Sequence, residues 1–415
     1  MNEIKNVLIG MDFGEKTSQL TYYNRRLRDA ISFTPIAGSS QFDFATMLAR
    51  RAGRKDWNIG REAEFFSKKE NTLFFESLYE ITASDELIHA PQETFQPWEL
   101  LAFFFQEALK MLGIMHPKGQ IKQFVITMQE VRGYAAQNIS RACKSLGLSE
   151  TQFSLQSYPE SFYYHTINQK RELWARNVAW YHFEGAKVTF CSLYSDQGAS
   201  TVIYKMTQEL TTQLPLNETN RDVEFYKFVQ ECMRTDIYSC IFITGVGFSA
   251  AWATKSVAFL CRQQRKVFFV ENLFAKGACY AAREVLEERK FSGQLYAGKG
   301  IISRSISMDM RVNGEHKMYP IVPAGIHWYD CDFTFRLILD DAQAIVFETA
   351  RIKDAEKSRI KMPLPDLPKR PNKTTRLEVS FKGSSDKECM IQVKDLGFGD
   401  FYPATQKIWT ETILW

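Results

Sequence analysis

The run Val7-Leu8-Ile9-Gly10-Met11-Asp12-Phe13-Gly14-Glu15-Lys16-Thr17-Ser18 decides the reading of the fold. A short apolar stretch ends in an acid and a glycine, and β-favouring residues follow from Gln19 to Asn24. The segment therefore predicts a buried hairpin with Gly14 at its tip. Working outward, Phe124-Val125-Ile126-Thr127-Met128 predicts a strand, Val131 to Leu146 a helix closed by Gly147, and Phe153-Ser154-Leu155 another strand. A β-α-β unit after a hairpin implies a partly parallel sheet. The same order recurs downstream: a second hairpin is predicted from Asn177 to Tyr204, broken at Glu184-Gly185, and a helix near Val223 to Met233 follows it. Then Ile241-Phe242-Ile243-Thr244-Gly245 reads as a buried strand feeding a glycine turn and another helix. Between the two halves, Pro97 to Leu112 starts with proline, carries apolar residues at helical spacing and has Gly113 just past its end, which predicts a helix.

The chain has 415 residues, more than one ordinary core supports, so two or three units of about 150 residues each are expected. An apolar share of 45% with 14% aromatics excludes wholesale disorder. A net charge of +4 without long runs of one sign creates no field that demands nucleic acid or a membrane. The eight cysteines are scattered, with no C-x-x-C pair and no histidine at zinc-ligand spacing, and read as reduced core thiols. No secretory apolar region and no run of about 18 apolar residues is found, so a cytoplasmic protein is expected.

From about Tyr296 helical periodicity gives way to short alternating runs, which places a domain boundary there: residues 1–295 form the first domain and 296–415 a β domain. Within the second, Pro363-Leu364-Pro365-Asp366-Leu367-Pro368-Lys369-Arg370-Pro371 lacks a ladder donor at its four prolines and must be an exposed loop or edge separating two groups of strands.

The two hairpins, each followed by a β-α unit, resemble the duplicated ribonuclease-H-like core of the actin, Hsp70 and sugar-kinase superfamily. Ile9 to Ser18 is similar to the family's first phosphate loop, in which an aspartate at a strand end holds Mg²⁺ through water and a glycine turn lets backbone N–H groups approach phosphate. The resemblance implies those roles for Asp12 and for Gly14, Lys16 and Thr17. Phe124 to Met128, the helix after it, and Gln156-Ser157-Tyr158-Pro159-Glu160-Ser161 follow the order of the family's first connecting segment, which makes Glu160 the implied catalytic residue, positioning metal-bound water. A Pro-Glu pair is equally an ordinary helix start with an acid in its first turn. Gly245-Val246-Gly247-Phe248 resembles the adenosine segment, with Gly245, Gly247 and Phe248 as implied nucleotide contacts, although any strand-to-helix turn can use Gly-x-Gly for backbone freedom. Val270 to Ala282 looks like the second connecting helix, whose small residues let two helices cross closely.

The departures are as informative. The family's second hairpin should carry Asp-x-Gly-x-Gly-Thr, yet Tyr181 is read at the aspartate position and Phe183 at the first glycine, so this second phosphate loop is degenerate. About 50 residues separate this hairpin from Gly245, too few for the adenine-binding subdomain of Hsp70 proteins, and the second lobe is read as reduced. The tail resembles the strand order of the Hsp70 peptide-binding β sandwich, with no helical lid after it. The resemblance is thus to a divergent bacterial Hsp70-like protein. The histidines form no metal-protease pattern, and neither a nucleophile elbow nor a P-loop occurs. Aromatic runs such as Phe103-Phe104-Phe105 and Phe162-Tyr163-Tyr164 lack interleaved cations and read as core.

Two functions follow from these readings. One is a switch that closes on ATP or ADP with Mg²⁺; the other is a relative with weak or no ATPase that keeps the architecture as an interaction or chaperone-like scaffold, meeting protein or peptide through its β domain. Losing one phosphate loop removes half of the positioning that hydrolysis needs, which favours the second. A sugar kinase would need an aspartate over a sugar hydroxyl, and no candidate stands out.

Overall fold

The computed structural model describes residues 5–197, 201–234, 236–284, 293–340, 342–353 and 356–414, apart from the side chains of residues 197, 218 and 219. The chain is of mixed α/β class with several sheets. It divides into two compact units, the first made of Met1–Tyr194 and Met206–Ser292, the second of Ser195–Lys205 and Gly293–Trp415. No helix among the described residues is long and apolar enough to cross a membrane.

In the first unit the strand Val7–Phe13 pairs antiparallel with Thr17–Asn24, which continues to Asp29–Ser32 and Asp43–Ala45. On its other side Val7–Phe13 pairs in parallel with Ile121–Met128, and that strand in parallel with Phe153–Ser157. A second sheet repeats the order. Asn177–Glu184 pairs antiparallel with Lys187–Gln197 and in parallel with Tyr238–Val246, which pairs in parallel with Lys266–Phe269. Strands covered on both faces need unbroken apolar runs rather than alternation, and Leu8 to Phe13 are buried without a break.

Helix packing on these sheets depends on missing side chains. The helix Leu273–Arg283 lies so close to Val7–Phe13 that a Cβ on Gly10 would stand 2.2 Å from the Ala275 carbonyl oxygen and 2.3 Å from the Cys279 nitrogen. The same helix crosses Tyr158–Ile167 at Gly277, where an added Cβ would lie 2.0 Å from the Ser161 carbonyl oxygen. The helix Pro97–Met111 starts with a capping box, the Glu99 carboxylate accepting the Gln96 N–H at 2.7 Å, and buries Leu100, Leu101, Phe104, Phe105 and Leu109. Each such side chain contributes about 1.5–3 kcal/mol by leaving water.

The second unit contains two four-stranded antiparallel sheets. One runs Glu315–Val322, Arg304–Val312, Ala344–Arg351, Lys357–Pro363, and the other Asp332–Ile338, Arg376–Gly383, Glu388–Asp395, Ile408–Leu414. Inward residues of both, among them Ile306, Val322, Phe347, Val379, Phe381 and Ile391, form one buried cluster. Alternating burial along Arg376–Gly383 and Glu388–Asp395 matches the period-2 patterning of the sequence. The proline-rich segment leaves the end strand Lys357–Pro363 and is fixed from below. Arg370 donates twice to Asp395, each at 2.8 Å, and the Trp409 indole N–H donates to the Pro365 carbonyl at 3.0 Å. The Asp395 carboxylate, fully buried, also accepts the N–H groups of Gly397 and Thr405 and the Thr405 hydroxyl. These five donors hold its carboxyl well below the ordinary carboxylate range despite burial.

Candidate functional site

Asp12 is the last residue but one of the strand Val7–Phe13 in the first sheet, buried at 8% exposure. Its Oδ1 accepts a hydrogen bond from the Tyr158 hydroxyl at 2.8 Å. Tyr158 is the first residue of the helix Tyr158–Ile167, with Pro159 behind it, so its side chain leans back past the helix start towards the sheet. The ring lies flat on Phe274, centroids 3.8 Å apart and planes within 4°. A Cβ on Gly14 would stand 3.5 Å from the Tyr158 hydroxyl and 2.4 Å from the Thr17 carbonyl, so Gly14 closes a tight turn against its own strand and the phenol. Burial pushes the Asp12 carboxyl up to about 7, the Tyr158 hydrogen bond opposing only part of that rise. At neutral pH it is therefore only partly ionised.

Across from it the second sheet contributes His182 and Trp180. The parallel register pairs Asp12 with Thr127 in the first sheet and His182 with Thr244 in the second. His182, rather than Tyr181, thus occupies the position equivalent to Asp12. This corrects the sequence reading, and the cause is the pleat: a shift of one residue along a strand turns a side chain to the opposite face. Tyr181 points into the core of the second sheet, fully buried between Phe190 and Phe225. The Thr244 hydroxyl oxygen accepts the Trp180 indole N–H at 2.8 Å and lies 2.9 Å from His182 Nδ1. Burial pushes His182 down to about 4, so its imidazole is neutral at pH 7. Its ring meets Tyr158 and Phe274 at 6.1 and 5.6 Å between centroids. Gln129 Nε2 donates to Glu184 Oε1 at 3.1 Å, linking the ends of the two sheets' central strands. Asp12, Gly14, Tyr158, Phe274, Trp180, His182 and Thr244 together form a packed joint of low charge.

The remaining candidates are distributed around this joint. Glu160 is buried in the first turn of its helix; burial first, and then the neighbouring Glu160 and Glu284, push the Tyr164 phenol up, and the residue of that turn on Asp12 is Tyr158. Lys16 and Thr17 are exposed, and Thr17 borders a groove of about 660 Å³ with Asp43, Arg61 and Lys110. Gly245 and Gly247 both take positive φ, and an added Cβ would meet the carbonyl oxygens of Phe183 at 2.1 Å and Gly185 at 2.4 Å. The Gly185 N–H donates to the Val246 carbonyl at 2.8 Å, so the glycine turn is clasped by the neighbouring hairpin. Phe248 belongs to an aromatic cluster with Phe183, Trp252 and Phe269. Among the described residues no three His, Cys, Asp or Glu side chains are grouped to hold a metal ion. Tyr158 was legible only as the residue preceding Pro159; its aromatic partner Phe274 lies in the small-residue helix that the sequence singled out for close crossing.

Residues 29–299 match a family of unknown function (DUF5716), C-terminal part, and residues 302–415 match a domain of unknown function (DUF8552). The first match covers more than half of the chain, which therefore belongs to the DUF5716 family. A search of curated proteins returned no match.

Proposed function

We propose that this DUF5716 protein has an actin/Hsp70-like architecture, a duplicated ribonuclease-H-like two-lobed domain followed by an antiparallel β sandwich. We further propose that it works as an interaction or chaperone-like scaffold with weak or no ATP turnover. The repeated order of hairpin and parallel strands in two sheets supports the first half of the reading, as do two antiparallel sheets sharing one buried cluster. The observation that carries the functional half is the Tyr158 hydroxyl on Asp12. An aspartate that holds Mg²⁺ through water needs ionised oxygens turned to solvent, whereas Asp12 is buried, capped on Oδ1 and raised to about 7. The Gly14 turn is closed by the same phenol, and His182 offers a neutral imidazole where a second acid or a glycine turn would face phosphate. As arranged, these residues do not fit a Mg-bound nucleotide.

Partners of the scaffold would be proteins or extended peptides meeting the β domain. Each of its sheets ends in strands paired on one side among the described residues, and such edges take an added strand. Phosphate release from Mg·ATP by the full chain tests the reading. Turnover far below about 1 per second is expected, and rates of about 1–100 per second, ordinary for kinases, would overturn it. The alternative, a Mg·ATP-driven switch, requires Tyr158 to swing off Asp12, and tight binding of Mg·ATP by the full chain, rather than its turnover, would favour it.

A further inference from the structure

The second sheet of the first unit ends at Lys266–Phe269, which among the described residues pairs on one side only, with Tyr238–Val246. An end strand offers unpaired backbone groups, and such an edge is ordinarily covered or blunted with polar side chains. Its counterpart in the first sheet, Phe153–Ser157, exposes none of its residues. Lys266–Phe269 departs from that rule. Its one charge stands at its start, Phe268 is 37% exposed on Phe242, and Phe269 is 46% exposed beside Phe248.

Backbone polarity limits how this edge can be used. The Val270 N–H donates to the Ile243 carbonyl at 3.0 Å. Backbone direction alternates along a strand, so Lys266 and Phe268 also turn their N–H and C=O groups inward, while Val267 and Phe269 turn theirs to the open side. A second copy of the same strand matches this spacing. Running antiparallel about a twofold axis at Phe268, it sets Val267 of each copy against Phe269 of the other, and the two exchange both N–H to C=O bonds. Sliding the copies by one residue would oppose outward groups to inward ones. Charge then separates this register from those two residues away. Arg265, just before the strand, comes opposite Glu271, just after it; a slide in either direction puts Arg265 against Phe269 or Glu271 against Val267. Both charges are uncompensated among the described residues, since the Arg265 guanidinium donates only to the Leu260 and Phe259 carbonyls, at 2.9 and 2.8 Å, and Glu271 is exposed.

We propose that Lys266–Phe269 is a self-association surface that takes the same strand of a second copy of this chain, antiparallel and centred on Phe268. The cross-strand pairs Phe268 with Phe268 and Phe269 with Val267 cover the exposed rings, and the opposed charges fix the register.

Sedimentation velocity of the full chain over a dilution series tests this. A species of twice the chain mass should grow in between about 10 and 100 µM. Val267→Pro removes an N–H that the chain's own sheet does not use, and Phe269→Lys sets a charge against Val267 of the other copy; each should weaken self-association by about tenfold or more while the circular dichroism stays that of the parent. If either variant loses its fold, a cross-link decides. With the exposed native thiol removed by Cys261→Ser, Phe268→Cys should give a disulfide-linked dimer on mild oxidation, because a residue facing itself across a non-hydrogen-bonded pair brings its Cβ atoms closest. Phe269→Cys on the same background should not, being offset from its own copy. A chain that stays monomeric up to about 100 µM, a dimer that both folded variants leave intact, or cross-linking at position 269 rather than 268 overturns the proposal.

Discussion

Replacing Arg370 with leucine removes one half of an ion pair whose side chains are 5% and 0% exposed. The remaining Asp395 carboxylate keeps three donors, the Gly397 and Thr405 N–H groups and the Thr405 hydroxyl, but loses both guanidinium hydrogen bonds. Removing one partner of a buried pair costs about 3–5 kcal/mol, and the three surviving donors place this case near about 3. For a unit of this size that corresponds to a Tm lower by about 10 °C. The loss should depend on pH in a defined direction. Asp395 titrates below its unfolded value of about 3.9, so its contribution is fully present above that pH and fades as pH falls through the lower folded value. Scanning calorimetry of the full chain should therefore show the transition of the second unit lowered at pH 7, with the gap to the parent narrowing below about pH 4. The double variant Arg370→Leu with Asp395→Leu should recover much of the loss, because an apolar pair leaves no stranded charge. A drop under about 2 °C at pH 7, or a gap that stays constant down to pH 3, would refute the reasoning.

The first unit offers two further tests. Asp12 has its folded value raised to about 7, so it favours folding while protonated and that contribution is lost as pH rises from about 4 through 7. Asp12→Asn should consequently be more stable than the parent at pH 8, by up to about 4 kcal/mol, and indistinguishable from it near pH 4; urea unfolding at the two pH values measures this, and the opposite trend would show an ionised aspartate held by cations. Gly277→Val should destabilise the first unit by more than about 3 kcal/mol, because its Cβ would fall 2.0 Å from the Ser161 carbonyl oxygen and neither helix backbone can give way; a near-neutral denaturation midpoint would mean that the crossing is loose.

Much of the framework can be read from the residues alone. The strands Val7–Phe13, Ile121–Met128 and Tyr238–Val246 each contain a short apolar run, Val7 to Met11, Phe124 to Ile126 and Cys240 to Ile243, and Pro97–Met111 carries proline at its start and glycine after its end. The helix expected from Val131 begins only at Ala135, since Gly133 takes positive φ with the Ala83 carbonyl oxygen against it. The joint is harder to read. Trp180, Tyr181, His182 and Phe183 are all large and mixed in polarity, so period 2 does not announce which of them face the core, and the choice between Tyr181 and His182 depends on the register with Ile243 and Thr244. Glu160 attracts attention as the acid of a Pro-Glu pair, while Tyr158 carries no chemical signal in the sequence. Its contact with Asp12 joins residues 146 positions apart, beyond what local pattern can show.

The claim that Tyr158 stands in place of a Mg-bound nucleotide on Asp12 is tested most directly by calorimetric titration of the full chain with Mg·ATP and Mg·ADP, for the parent and for Tyr158→Ala. The parent should give no binding heat at up to millimolar nucleotide, with any weak binding gained only in the variant, where the Asp12 carboxylate and the Gly14 turn are uncovered. Micromolar binding of Mg·ATP by the parent, weakened by Asp12→Ala and unchanged by Tyr158→Ala, would contradict the account.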